Sequence, residues 1–412
     1  MVMPPSVHEV TLLARYGSLL RGTGAAPALA ASLLGRLALG TTGLALLLLV
    51  RDSTGSYAAA GATAAAYAVS FAAFAPVRAR RADRRGPRGV LRLCSLVHPV
   101  VLLALVLLAR DDAGTAVLVV LSVLAGATVP PIGGVMRALW AGLAETDPRV
   151  EVTSAYALEA VVIELCFVLG PLLVAVLTRT LGPASAVLAA GLLVLSGGLW
   201  LAATPALRRV VPHPEAVRGA AGPLSSPAVR SLLITVATTG ASFGALEVAV
   251  IAFADETGGR PSTGAVLLAV WSAGSIVGGL AYGAVHSQVP HTRQLPVLVT
   301  ALAVGSALPV LAPGTLVMGL VLVLSGSAIA PYSACNSVLL GRAAPRGTVT
   351  EAFAWSGSAI FGGAALGNVV SGLVVEHVGV RPALALPALA GALGLVATLA
   401  TRRALTSPVS TS

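Results

Sequence analysis

Apolar stretches recur along the whole chain, each bounded by charge, glycine or proline: 25–50, 56–77, 90–109, 115–141, 152–178, 184–204, 230–254, 264–284, 296–311, 315–340, 350–375 and 383–401. A helix rises about 1.5 Å per residue, so roughly 20 apolar residues cross a ~30 Å hydrocarbon core. The pattern therefore predicts twelve transmembrane α-helices. The longest polar connection, 205–229, divides them six and six. The expected organisation is a cytoplasmic N-terminal segment (1–24), a six-helix bundle (25–204), a cytoplasmic linker (205–229), a second six-helix bundle (230–401) and a cytoplasmic tail (402–412). The first run, Ala25 to Val50, exceeds the roughly 7–15-residue core of a secretory signal and ends at Arg51-Asp52, so it is expected to remain as a helix.

The two halves repeat. Gly126-Ala-Thr-Val-Pro130-Pro131 matches Gly326-Ser-Ala-Ile-Ala-Pro331, and Thr153-Ser-Ala-Tyr-Ala157 matches Thr350-Glu-Ala-Phe-Ala354. Gly182-Pro-Ala and Gly379-Val-Arg-Pro-Ala each precede a closing apolar helix. Duplicated bundles related by an axis along the membrane normal place a binding site near the midplane between them.

Composition agrees with lipid as the main solvent. Of 412 residues 56% are hydrophobic and 10% charged, against roughly 25% charged in soluble domains; mean hydropathy is +0.91. The net charge of +10 is not a nucleic-acid face, because the arginines sit in short loops between apolar runs. With the N-terminus inside, 20 of the 26 arginines fall at or near the inner face and 5 outside, so both termini are expected in the cytoplasm. Cys94, Cys166 and Cys335 lie in separate apolar runs without metal-ligand spacing, and neither a disulfide, a metal site nor a cofactor is expected.

The connection after the second helix reads Pro76-Val-Arg-Ala-Arg-Arg-Ala-Asp83-Arg84-Arg-Gly86-Pro-Arg88. It resembles the helix 2–3 signature of the major facilitator superfamily, with Asp83, Arg84, Gly86 and Arg88 at matching positions and Ala79 where the first glycine is expected. Gly170-Pro171 in the fifth helix is similar to the Gly-Pro motif of drug:proton antiporters, and the Thr350-to-Trp355 helix start is similar to that of many actinobacterial members. The resemblance implies two bundles that rock against each other, a cavity lined by helices 1, 4, 7 and 10, and a monomer in the cell membrane. Physically, a carboxylate among seven arginines can pair with a helix end or an arginine of a neighbouring helix as a cytoplasmic latch. The alternative is a run that fixes topology and binds anionic headgroups.

Charges within hydrocarbon cost about 2.5–3.5 kcal/mol each on insertion scales, so each needs a reason. Arg36 either snorkels inward or faces the cavity to meet an anionic substrate or a carboxylate. Glu159 and Glu164 point about 140° apart on one helix; each is a candidate protonatable site or the partner of Arg36 or Arg137. Glu164 shares the stripe of Pro171. Glu247 is a candidate coupling residue, an outer-gate ion-pair partner or a solvated helix end, and Arg137 an interface anchor or a ligand. His98, expected on the bundle periphery, either bonds freed backbone beside Pro99 or relays protons. Asn368, at the position equivalent to Pro171, is expected to hydrogen-bond between helices. Pro130, Pro131 and Pro331 interrupt helices 4 and 10 as hinges or fixed kinks. Helices 6, 9 and 12 are expected to contain no charged residue at all, as a lipid-facing shell requires.

The function expected from these features is secondary transport by alternating access, with proton-coupled efflux of a small hydrophobic or amphipathic compound as the leading form. Uptake of a sugar or metabolite, and a non-transporting sensor or scramblase, are the alternatives. No H-E-x-x-H, Walker loop or G-x-S-x-G is present, so an enzyme is not expected.

Overall fold

The computed structural model describes residues 24–111, 113–147, 150–210, 222–257, 261–285 and 288–400, and their regular structure is helical. Residues 1–23 of the expected N-terminal segment, 211–221 of the linker, and 401–412, which include the whole expected tail, lie outside the described residues. Twelve helices among the described residues are long and apolar enough to span a membrane: α1 (Ala26–Thr54), α2 (Ala59–Arg85), α3 (Pro87–Arg110), α4 (Thr115–Thr146), α5 (Val152–Leu181), α6 (Pro183–Ala203), α7 (Pro227–Glu256), α8 (Thr263–Ala284), α9 (His291–Leu311), α10 (Thr315–Ala343), α11 (Val349–His377) and α12 (Val380–Ala400). They form two six-helix bundles. Large apolar side chains such as Val120, Leu192, Leu316 and Leu393 remain exposed on the outside, a surface suited to acyl chains.

Several helices are longer than hydropathy alone predicts. Helix α2 continues through the arginine run to Arg85, because Ala and Arg favour helix and cations suit a helix C-terminus. It stops at Gly86, whose φ of 89° suits glycine, and Pro87 opens α3. The acidic-basic signature is thus the last turns of a helix and not a loop. Similarly, α9 and α12 begin at His291 and Val380, which puts Arg293 and Arg381 on their first turns and corrects the expectation that these helices are free of charge. Arg381 Nη1 donates to the Val310 carbonyl at 3.0 Å, closing one end of α9.

Helix α4 is broken into Thr115–Thr128 and Ile132–Thr146. Pro130 and Pro131 have no N–H to offer the preceding turn, so its carbonyls need other donors. Arg78 Nη1 donates to Gly126 and Ala127 oxygens at 3.1 and 2.6 Å, and His98 Nδ1 donates to the Ala125 oxygen at 3.0 Å. Both side chains are therefore structural braces inside the first bundle: His98 is fully buried, not peripheral, and Arg78 does not serve only as a topology charge. In α10 the break falls between Gly326 and Ile329. Pro331 is the third residue of the second segment, where a missing N–H has no intrahelical partner to lose.

The duplication is visible in the packing. Gly126 lies against the backbone of Tyr67 and Phe71 in α2, and Gly326 against that of Trp271 in α8; Gly191 meets Pro99 in α3, and Gly391 meets Ala303 in α9. Helix α1 crosses α5 at Gly40 and Gly170, as α7 crosses α11 at Gly240, Gly244, Gly363 and Gly367. A Cβ on Gly170 would fall 2.6 Å from the Gly40 carbonyl carbon, so no side chain fits without parting the helices. Pro171 follows within an uninterrupted α5. Gly170→Leu is expected to cost about 1–3 kcal/mol or more by overpacking, read as a lower Tm in detergent. In the second bundle Asn368 Oδ1 rests against Gly244 but has no hydrogen-bond partner, so its expected interhelical hydrogen bond is not made by that atom. Cys94, Cys166 and Cys335 are free and buried.

Candidate functional site

The bundles meet along two edges, α2 against α11 and α5 against α8, with the broken helices α4 and α10 reaching across to α11 and α5. The charged residues singled out from sequence separate into groups along these contacts.

The most buried group belongs to the first bundle. Arg36, 2% exposed, projects from α1 to Glu159 of α5, 0% exposed, with Nη1 2.5 Å from Oε2. The same Nη1 lies 3.2 Å from Ser32 Oγ, one turn earlier on α1. The other Glu159 oxygen accepts from Trp140 Nε1 at 3.2 Å. Arg36 Nε and Nη2 have no partner, and they face Gly133 at the start of the second segment of α4. One turn further, Arg137 places its guanidinium 5.3 Å from the centroid of the Phe353 ring in α11. Tyr156 packs edge-on against the same ring and donates its hydroxyl to the Arg137 carbonyl at 3.1 Å. Arg137 is in electrostatic reach of both Arg36 and Glu159. Three residues separated by 123 positions of chain thus form one cluster, and its hydrogen-bond donor Trp140 escaped the sequence reading, since nothing in an apolar run marks one indole as a carboxylate partner.

Glu164, five residues on, points the other way, out of its own bundle. It accepts a hydrogen bond from Ser275 of α8 at 2.9 Å, so a carboxylate sits on the seam between bundles. Glu247 is exposed on α7, in line with Phe243, which packs edge-on to Trp271 of α8, and with Ile251, which packs on Gly264. No hydrogen bond or ion pair among the described residues reaches Glu247.

At the end of the bundles that carries the α6–α7 linker, Asp83 of α2 faces the N-terminus of α11. Its carboxylate accepts from the Thr350 and Glu351 N–H groups at 3.2 and 2.9 Å. These are orphan donors of the first helical turn, at the positive end of the macrodipole. Beside them Arg80 binds Glu351 through two donors, Nε to Oε2 at 2.9 Å and Nη2 to Oε1 at 2.6 Å. Arg84 lines the small cleft around this contact, together with Gly222 of the linker. Two signature residues stay within the first bundle: Gly86 makes the turn into α3, and Arg88 Nε donates to the Ala202 carbonyl at the end of α6, at 3.0 Å. The gate role expected for Arg88 is thereby replaced by closure of a helix end. Arg80 and Glu351 were not singled out from sequence, although positions 80, 83 and 84 follow the i, i+3, i+4 spacing of one helix face.

Across the molecule, hydroxyls of α5 join it to α8 and to the start of α9. Ser154 Oγ donates to the Gly283 carbonyl at 2.5 Å, and Thr153 Oγ1 lies 3.0 Å from His291 Nε2. A cavity of about 540 Å³ opens here, lined by Glu151, Thr153, Tyr282, His291, Arg293 and Gln294 with apolar neighbours. Arg36 and Glu159 are not among its walls. Among the described residues no cluster of His, Cys, Asp and Glu could hold a metal ion.

The family model described as the Major Facilitator Superfamily matches residues 28–348. No curated protein matches by sequence. Among solved structures, the human organic anion transporter MFSD10 superposes with a TM-score of 0.70 at 18% identity, covering 92% of this chain and 99% of that one. A bacterial homologue of the iron transporter ferroportin in an outward-facing state gives a TM-score of 0.72 at 13% identity, covering 91% and 98%. The proton:xylose symporter XylE gives 0.69 at 13% identity, covering 93% and 95%. At such identities the likeness is one of fold.

Proposed function

The chain belongs to the Major Facilitator Superfamily, a family of membrane transporters and not of enzymes, and from that premise we propose that it is a secondary carrier exporting a small hydrophobic or amphipathic compound in exchange for protons. It works by alternating access, as a monomer in the cell membrane with both termini cytoplasmic. The observation that carries the reading is Glu164: a carboxylate in the middle of a membrane helix, held by the Ser275 hydroxyl of the opposite bundle. Separation of the bundles removes that donor, so rocking changes the relative stability of the charged and neutral carboxyl and couples proton occupancy to conformation. Asp83 and Arg80 are the latch on the linker side, and Arg36, Arg137 and Glu159 form the floor of the substrate site.

The test is export from proteoliposomes under an imposed proton gradient. Glu164→Gln is expected to lose gradient-driven transport by tenfold or more while retaining exchange of substrate for substrate, because the neutral amide still accepts from Ser275. Gradient-driven transport at the parental rate in Glu164→Gln, or transport indifferent to a protonophore, would remove the proton coupling. Glu247 is the comparison: it is exposed and unpaired among the described residues, and Glu247→Gln separates a coupling role from that of a solvated end.

A further inference from the structure

We infer that the substrate carries a carboxylate, and that its two oxygens seat on the Nε–Nη2 edge of Arg36 beside Gly133; the inference rests on the carrier reading above. A guanidinium presents two useful edges. Arg36 gives its Nη1 to Ser32 and Glu159 and keeps Nε and Nη2, the pair that spans a planar oxyanion with two parallel hydrogen bonds, without a partner. The side chain is 2% exposed, so these donors have lost water and gained nothing within the protein. The residue they face is glycine. A Cβ built on Gly133 would lie 3.7 Å from both Nε and Nη2, at ordinary contact distance, so the glycine leaves a methyl-sized gap against this edge.

Charge points the same way. Arg36 and Arg137 together carry two positive charges against one negative charge on Glu159, and both Glu159 oxygens are already engaged by Arg36 and Trp140. Arg137 also retains an unpartnered Nε. One singly charged anion balances the cluster; a cation would add to the excess, and a neutral ligand would leave it. The second bundle does not repeat the feature: residues 336 and 337, which the repeat sets opposite Met136 and Arg137, are Asn and Ser. The seat is therefore single and belongs to the first bundle.

The experiment uses the full chain in detergent with Trp200, Trp271 and Trp355 replaced by Phe, so that only Trp140, the donor to Glu159, emits. The probes are 4-nitrobenzoate and 4-nitrobenzamide, both quenchers of similar shape, one charged and one neutral. Saturable quenching by the carboxylate, with half-saturation at least tenfold lower than for the amide, is the expected result. Gly133→Val, which fills the space beside the free edge, and Arg36→Lys, which keeps a cation for Glu159 but has no planar fork, should each raise half-saturation by tenfold or more. Gly133→Ala, whose methyl meets no closer contact than 3.7 Å, serves if the larger substitution disturbs folding, and an unchanged Tm certifies it. Equal quenching by the two probes, no saturation with the carboxylate, or indifference to a properly folded Gly133 variant overturns the inference. Counterflow in vesicles is scored separately. Exchange of a neutral compound without carboxylate quenching sinks this seat and leaves the carrier, whereas quenching without any exchange does the reverse.

Discussion

Glu159→Ala is expected to destabilise the protein by about 3–5 kcal/mol, seen as a fall in Tm, because it strands the Arg36 charge in a site 2% exposed. The paired replacement Arg36→Met with Glu159→Leu is expected to recover most of that loss, since apolar residues of similar volume often match or exceed a buried ion pair in stability. Transport should not recover with it. A double variant that is both stable and active would show that the pair is only packing. A double variant no more stable than Glu159→Ala would show instead that Trp140, left without its acceptor, or the cavity around it, dominates the energetics.

Asp83→Asn is expected to shift the linker side towards its open form by on the order of tenfold to a hundredfold. The carboxylate holds two N–H groups at a helix N-terminus, and hydrogen bonds to a charged group are worth about 1.5–3 kcal/mol, where each 1.4 kcal/mol is a factor of ten. Glu351→Gln, which removes the charge facing Arg80, should act in the same direction with a smaller effect, since Arg80 is 34% exposed and the pair is partly screened. Ser358 provides the readout: its hydroxyl donates to the Ala72 carbonyl across the same edge at 2.6 Å. In a background with Cys94, Cys166 and Cys335 replaced by alanine, a cysteine at this position should be labelled faster in Asp83→Asn than with Asp83 intact. Equal labelling rates, or a normally inserted Asp83→Asn protein that transports at the parental rate, would leave the latch without support.

Much of the fold was legible because lipid imposes a length on apolar runs and leaves little freedom in how they cross. The duplication was legible where it is carried by glycine and proline, as in Gly126 with Gly326, since those residues mark backbone contacts and breaks. The braces at the α4 break were harder to read. Pro130 and Pro131 announce that carbonyls will be freed, but only the packing of α2 and α3 against α4 identifies Arg78 and His98 as the donors.

Within the arginine run, hydropathy cannot distinguish a buried Arg78, a paired Arg80 and the arginines around them. Their difference lies in the direction each takes around a helix that hydropathy ended too early, at residue 77. The central cluster shows the same boundary between pattern and geometry. Arg36 and Glu159 were identifiable as costly charges in apolar surroundings, and the angular separation of Glu159 from Glu164 correctly required two different faces. Which of the two carboxylates meets Arg36 depends on the Gly40–Gly170 crossing that sets α1 against α5, a contact between residues 130 positions apart.

The two edges of the interface differ in their charge: the α2–α11 edge carries the Arg80–Glu351 ion pair and the Asp83 contact beside the Ser358 hydroxyl, whereas α5 meets α8 and α9 through the hydroxyls of Ser154, Ser275 and Thr153, the Ser275 bond ending on the Glu164 carboxylate. Dissolved ions screen the part-exposed Arg80–Glu351 pair more than they do hydroxyl-to-carbonyl bonds. If the proposed carrier opens on the linker side, the α2–α11 edge is expected to part first while the α5–α8 edge holds, and the rate of that opening is expected to rise with ionic strength.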